Sequence, residues 1–366
     1  MIVGVNAMSL TTPRVRGWTR YAVNLLRELL KLGVGLRLYA RTPLDPAHLG
    51  ELGPGDCEVR VAPPMRYILW EQVWLPRQCR RDGVALLHSP HNFGLPVCCP
   101  VPRVLTLHDA IDTVYSHDRL PWGAWLRPGH ARARLMLQVA RRSADRIVTV
   151  SGHAKADLVR RFGLPAERID VIPEAADACF HRPPTAAEAA RVAETHGLRR
   201  PYFVYVGGAE ARKNVGFLAR AFAAADLPGV ELVLAGGGDF GASVGPGVRA
   251  VGYVAEADLP ALYAGALGFA YPSEYEGFGL QLVEAMAAGC PALAADATSL
   301  PEVLGRGGDT FPLGDPAVLT ALLRRLATDP AYRVDLAARG RRRAAEFSWG
   351  RAARATLATY EATLRR

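Results

Sequence analysis

Apolar residues in the first half of this chain come in short blocks, each closed by a turn residue or a polar step. Val3 and Val5 open the series, and Leu36–Tyr39, Val59–Val61, Ala85–His88, Val104–Leu107 and Ile147–Val150 continue it as predicted strands. Longer segments with helical spacing lie between them. From Arg20 to Lys31 the apolar positions are Tyr21, Leu25, Leu26, Leu29 and Leu30, and Gly33 ends the segment. Further helices are predicted over Trp70–Arg81, Arg132–Ser143 and Gly152–Phe162. Strands that alternate with helices predict an α/β domain with a doubly wound parallel sheet over residues 1–175.

The alternation breaks at Ile172-Pro173-Glu174, and residues 176–200, rich in Ala, Pro and Arg, read as a linker. A second strand–loop–helix series then begins, predicting another domain over 201–346. Tyr202–Val206 is a strand, Gly207 to Lys213 a loop, and Asn214 an N-cap for Val215–Ala224. Glu231–Leu234 ends in Gly236-Gly237-Gly238, and Val251–Val254 is a further short strand. Beyond Leu267–Tyr271 and Ala292–Ala294, helices fit Ala317–Leu326, Asp335–Ala345 and Trp349–Leu364.

The stretch from Tyr271 to Pro291 holds the most chemistry. A strand stops at Pro272, a loop with Gly277 and Gly279 follows, and an apolar helix runs until Gly289 and Pro291 end it. Glu276 falls in the loop and Glu284 about a turn and a half into the helix, while Glu274 is a loop residue by its spacing. The first amides of a helix have no intrahelical acceptor and favour an anion. A backbone anion site beside two carboxylates suits a ligand with phosphate and hydroxyl groups together, such as a nucleotide sugar. Arg212 and Lys213, ahead of another predicted helix start, add two cations where phosphate would bind. In the first half, His88 and His108 end predicted strands, where open parallel sheets bind ligands. A structural hydrogen-bonding role fits His108 equally well, and no second His or Cys stands beside it at metal-ligand spacing. Gly17 reads either as a turn residue or as a close approach for phosphate.

Composition narrows the classes. At 366 residues, half of them hydrophobic and 22% charged, the chain is expected to be globular with two domains. No apolar run reaches the roughly 18 residues of a membrane span. Met1 to Asn6 reads as a first strand rather than a signal peptide. Six cysteines without a C-x-x-C pair fit a reduced, cytoplasmic setting. The net charge of +9 is uneven: residues 1–175 hold 24 Lys/Arg against 15 Asp/Glu, and residues 176–366 hold 20 of each. Anionic lipid headgroups, phosphorylated substrates and nucleic acid would all suit the basic half, as would a merely arginine-rich surface. No nucleic-acid module accompanies the charge, so that partner is set aside. Between Leu120 and Arg142, Trp122, Trp125 and Leu126 mix with arginines in a way that suits either a membrane interface or a packed surface helix. The absence of a Walker A sequence argues against P-loop chemistry.

Pro272-Ser273-x-x-Glu276-Gly277-Phe278-Gly279-Leu280 with Glu284 resembles the Glu-x7-Glu signature of retaining glycosyltransferase family four, whose fold is GT-B. The likeness extends along the chain. Gly17-Trp18-Thr19-Arg20-Tyr21 resembles the family's first glycine loop, Leu107-His108-Asp109 its active-site histidine segment, and Thr149-Val150-Ser151 its next strand end. Gly207-Gly208 through Arg212-Lys213-Asn214, and Leu300-Pro301-Glu302-Val303, fit as well.

The resemblance implies two Rossmann-like doubly wound domains facing a cleft, with residues 347–366 as a final helix crossing back to the first domain. It implies a catalytic set of His108, Glu276, Arg212 and Lys213. Donor contacts would come from Gly17, Arg212, Lys213, Phe278, Gly279, Leu280 and Glu284. Glu284 would hold ribose hydroxyls, Arg212 and Lys213 the diphosphate, and Glu276 and His108 the transferred sugar. No metal or other cofactor is implied; the nucleotide-diphosphate sugar is a co-substrate. Trp70-Glu71-Gln72 and Leu87-His88-Ser89-Pro90 are most similar to bacterial enzymes that add mannose or a deoxysugar to surface polysaccharide. The expected reaction is hexose transfer, first mannose from GDP-mannose, to a saccharide or lipid-linked acceptor, with peripheral contact to the inner face of an anionic membrane. The alternatives are a natural-product transferase with a soluble acceptor, a non-catalytic sugar-nucleotide-binding protein, and a phosphorylase or epimerase on the same fold. Two departures from the family pattern stand out: Thr19 replaces the second loop glycine, and Glu174-Ala175-Ala176-Asp177 replaces the usual Asn-Gly-Val-Asp.

Overall fold

The computed structural model describes residues 1–12, 17–111, 138 and 141–365. Most of the basic, tryptophan-containing segment 120–142 and of the helix expected over Arg132–Ser143 lies outside the described residues. The chain divides into two compact units, Met1–Glu174 with Trp349–Arg366, and Ala175–Ser348.

Unit 1 is built on a parallel sheet of β1 (Ile2–Asn6), β2 (Gly35–Ala40), β3 (Cys57–Val61), β4 (Leu86–Ser89), β5 (Arg103–Thr106), β6 (Arg146–Thr149) and β7 (Ile169–Val171). Their order is β3-β2-β1-β4-β5-β6-β7. The winding direction reverses between β1 and β4, where Val3 pairs with Leu36 on one side and Leu86 on the other. Strands at the centre of such a sheet are covered on both faces, which is why β4 is buried throughout. The helix Gly17–Lys31 buries Tyr21, Ala22, Leu25, Leu26, Leu29 and Leu30. Helix Trp349–Leu364 packs on it, burying Ala352, Ala353 and Tyr360. Thr359 Oγ1 donates to Asp170 at 2.9 Å, tying that helix to β7.

Unit 2 repeats the plan with β8 (Tyr202–Val206), β9 (Glu231–Ala235), β10 (Val248–Gly252), β11 (Gly268–Tyr271), β12 (Ala292–Ala295) and β13 (Asp309–Phe311). The order is β10-β9-β8-β11-β12-β13, all parallel, with the reversal between β8 and β11. β10 starts ahead of the Val251 expected from the pattern, because it is an edge strand with alternating exposure and a register shift at Gly252.

The stretch read as a linker contains the helix Ala186–Thr195 and clusters with unit 2. A capping box sets its start: Thr185 Oγ1 accepts from the Glu188 amide at 3.2 Å, and the Glu188 carboxylate accepts from the Thr185 amide at 2.7 Å. This helix buries only Val192, so apolar periodicity had almost nothing to reveal.

The carboxyl ends of β8 and β9 approach so closely that side chains are excluded. The Gly207 amide donates to the Ala235 carbonyl at 2.9 Å, and the Gly236 amide to the Gly252 carbonyl at 2.7 Å. Gly236 has φ 141°, and a Cβ there would overlap the Gly207 carbonyl. Gly236→Ala is expected to destabilise unit 2 by about 3 kcal/mol. Gly314→Ala, at an exposed position where a Cβ meets nothing within 4 Å, serves as control and should stay within about 0.5 kcal/mol. Urea denaturation of the two variants checks this.

Candidate active site

In unit 2 the loops after β8 and β11 converge at the sheet's reversal point. The chain leaves β8 through Gly207-Gly208 and makes a 3-10 turn, Ala211–Lys213, which Asn214 ends in the left-handed region at φ 50°. That turn presents Arg212 and Lys213 side by side. The loop after β11 is held against it by backbone: the Glu274 amide donates to the Arg212 carbonyl at 2.8 Å. Ser299 Oγ fixes the same loop from a third segment, at 3.0 Å from the carbonyls of both Glu276 and Phe278.

Glu276 is the meeting point. Its Oε1 accepts from Lys213 Nζ at 2.7 Å, Arg212 at 3.0 Å, Ser273 Oγ at 2.5 Å and Tyr271 OH at 3.1 Å. Lys213 Nζ also donates to Tyr271 OH at 2.6 Å. The pair is deeply buried, with Lys213 5% and Glu276 8% exposed. Burial would push the Glu276 carboxyl up, but Lys213 and Arg212 outweigh it and hold it below the ordinary carboxylate range. Burial also lowers Lys213, by more than the attraction of Glu276 restores. Beside the turn a depression of about 190 Å³ is lined by Glu210, Asn214, Asp239 and Ser243, among others.

Past this cluster the loop runs directly into the helix Leu280–Ala287. Phe278 is buried, and Gly279 is the N-cap with φ 102°, where a Cβ would press on Leu300. Leu280 opens the helix, and Glu284 is 1% exposed inside it. The sequence spacing predicted Glu284 on a helix that starts at this loop; its burial is added by the fold. Glu274 acts here through its backbone amide rather than as one of the clustered acids.

The unit 1 candidates gather at the ends of β4 and β5. His108 Nδ1 lies 3.0 Å from Glu174 Oε1 and Nε2 3.2 Å from the Pro90 carbonyl, while its amide donates to Asn92 Oδ1 at 2.8 Å. The Tyr21 ring packs edge-on against the imidazole, centroids 4.6 Å apart. Gly17 opens the helix that carries Tyr21, and a Cβ there would meet nothing within 4 Å, so the protein's own packing does not demand glycine. His88 is fully buried between Tyr360 OH at 2.7 Å and Thr106 Oγ1 at 2.9 Å, a structural role. Among the described residues no group of three or more His, Cys, Asp or Glu is placed to hold a metal ion.

Four contributors were not singled out from the sequence. Tyr271 and Ser273 sit inside the Glu276 motif, and their hydroxyls are what brings its partners to four. Tyr21 lies in the first-loop motif. Glu174 was visible only as an acid where the family usually carries a neutral side chain.

Two doubly wound parallel sheets, each reversing between its first and fourth strand, define the GT-B fold. The chain belongs to glycosyltransferase family four. Residues 15–180 match the model described as Glycosyltransferase Family 4, and residues 200–329 that of Glycosyl transferases group 1. The chain is 34% identical to the O-antigen chain mannosyltransferase B of Escherichia coli over 60% of its own length, spanning 61% of that protein. It is 31% identical to the MMP alpha-(1->4)-mannosyltransferase of Mycolicibacterium hassiacum, covering 79% of this chain and 70% of the relative. Among solved structures, the Anabaena protein HepE in complex with UDP and glucose matches with a TM-score of 0.74 at 18% identity, over 98% of this chain and 99% of that one. The sucrose-phosphate synthase of Thermosynechococcus elongatus matches at 0.73 and 22%, over 99% and 98%. At these identities the structural likeness speaks for the fold.

Removing one partner from a buried ion pair leaves the other uncompensated. Glu276→Gln is therefore expected to cost about 3 kcal/mol at pH 7. Because the Glu276 carboxyl titrates below its ordinary value, its contribution is complete above about pH 4.5 and fades as pH falls further. The stability gap between wild type and variant, measured by urea denaturation at pH 7 and pH 4, should narrow at the lower pH.

Proposed function

We propose that this protein is a retaining, metal-independent hexosyltransferase. It would move mannose from GDP-mannose to a saccharide or lipid-linked acceptor in surface polysaccharide synthesis. The observation that carries this reading is the cluster of Arg212 and Lys213 on the buried Glu276 at the carboxyl ends of β8 and β11. The mannosyltransferase names of the Escherichia coli and Mycolicibacterium relatives support the choice of sugar.

In this reading unit 2 holds the donor. Arg212 and Lys213 turn from Glu276 to the diphosphate, and Glu276 is freed to orient hydroxyls of the transferred sugar. Glu284 binds the ribose, while Phe278, Gly279 and Leu280 bring the start of their helix to the donor. As the sugar–phosphate bond breaks, negative charge grows on the leaving diphosphate, so the two cations favour the transition state over the bound ground state. The acceptor hydroxyl attacks C1 from the face the diphosphate leaves, and a diphosphate oxygen takes its proton, which retains the anomeric configuration. Glu276 is then a positioning carboxylate rather than a nucleophile. Unit 1 would bind the acceptor and supply His108, with Gly17 offering close backbone approach.

A basic unit 1 is the support for peripheral contact with anionic membrane. No helix among the described residues is long and apolar enough to cross one. Flotation with anionic liposomes at modest salt tests that contact, and free protein at the bottom of the gradient removes it.

A thermal-shift panel of GDP-, UDP- and dTDP-linked sugars tests the donor. GDP-mannose should raise the melting temperature most, and a preference for another nucleotide sugar would replace it. With the cognate donor, Lys213→Ala and Glu276→Ala are each expected to lower kcat/KM by at least about a hundredfold. Near-normal turnover in either variant would remove its assigned role.

A further inference from the structure

Three histidines stand at the ends of β4 and β5, His88 and His91 buried and His108 partly so, and their surroundings separate them sharply. His88 meets two hydroxyl groups, Tyr360 and Thr106, each able to donate or accept. His91 packs edge-on against Phe93, and among the described residues neither of its buried ring nitrogens has a hydrogen-bond partner. His108 alone faces two pure acceptors, the Glu174 carboxylate at Nδ1 and the Pro90 carbonyl at Nε2. A neutral imidazole carries one N–H and could satisfy only one of them. The Glu174 side chain is 7% exposed, so leaving it without a donor would be costly.

We propose that Glu174 is a positioning residue that holds His108 as an imidazolium, giving unit 1 a fixed cation at the carboxyl end of β5. This goes beyond the transferase reading and rests on it for its consequence in turnover, though not for the charge state itself. Both N–H groups of the ring are committed to the protein, so His108 acts on a ligand through its positive charge. Its side chain is 14% exposed, enough for an incoming group to reach the ring edge. A fixed cation favours an oxyanion, which for a nucleotide-sugar reaction means phosphate oxygens rather than a neutral sugar hydroxyl.

The other groups around the ring agree with this charge. Asp109 adjoins His108 in the chain and favours the cation, as do Glu174 and the Pro90 carbonyl; together they outweigh burial and raise its pKa above the ordinary value. His88 and His91 are pushed down to about 3, first by burial and then by charge, which for both includes that of His108, so they remain neutral neighbours. Tyr21, edge-on to the ring and hydrogen-bonded to Thr106 at 3.1 Å, has its pKa raised by burial and stays a neutral phenol. An acid at position 174 thus differs from the Asn usual in the family by favouring the charged form of this ring.

The test reads the ring directly. In full-length protein labelled with 15N-histidine, NMR should show His108 doubly protonated at pH 7.5, while His88 and His91 stay neutral. A neutral His108 at that pH in the wild type would overturn the proposal before any variant is made. Glu174→Gln should shift the His108 titration down by at least one pH unit, and Glu174→Asp should restore most of it. With the cognate donor, the high-pH limb of kcat/KM in Glu174→Gln should move down by the same interval, with activity near pH 6 kept within about threefold. An unshifted titration in Glu174→Gln, or an equal loss of turnover at every pH, would show that Glu174 only packs there. If no donor supports transfer, the NMR arm still decides the charge state, and the failure then falls on the transferase reading.

Discussion

One carboxylate oxygen organises the candidate site. Oε1 of Glu276 collects an ammonium, a guanidinium and two hydroxyls from three parts of unit 2, in a place where water has been largely removed. Such a cluster survives burial only if every member is satisfied, because the desolvation cost of each ion rivals its Coulomb gain. The surrounding construction follows from that requirement. The left-handed Asn214 ends the turn that aims Arg212 and Lys213, and Ser299 clamps the Glu276 loop through two carbonyls. Gly279 starts the next helix where a side chain would collide with Leu300.

The two parallel sheets supply the frame. In each unit the winding reverses between the first strand and the fourth, so neighbouring loops splay apart at the carboxyl ends and leave room for a ligand. The same topology was solved with different chemistry in the two places. Unit 2 carries a two-cation cluster there, and unit 1 carries histidines, of which His108 has a carboxylate partner in Glu174.

Much of this was legible in the residues. Buried parallel strands are continuous apolar runs, and they stood out; so did the Glu-x7-Glu spacing, since a loop residue and a helix residue eight positions apart are fixed by local geometry. What escaped were features written in single polar side chains. The helix Ala186–Thr195 depends on a capping box and one buried valine, which no periodicity detects. Tyr271 and Ser273 read as part of a strand end and a turn until the fold curled them around Glu276. Glu174 is 66 residues from His108, and only the path of β6 and β7 brings them together. Sequence reading also assigned the cations to phosphate and the glutamate to sugar as separate tasks, whereas the structure pairs them with each other.

That pairing has a consequence for selectivity. With Arg212 and Lys213 both facing Glu276, each cation already has an anionic partner inside the protein. An isolated phosphate must pull the cations off Glu276 and leave that carboxylate buried without donors, at a cost of the order of the binding it gains. A ligand that brings hydroxyls with its phosphates avoids the penalty, since the hydroxyls donate to the carboxylate the cations have left. On the proposed reading the glutamate would then be a filter as well as a partner, setting a threshold that phosphate alone does not clear and a nucleotide sugar does. The proposal for His108 and Glu174 in unit 1 follows the same logic on a smaller scale, a cation kept in place by an internal anion, its remaining field available to a ligand that carries charge.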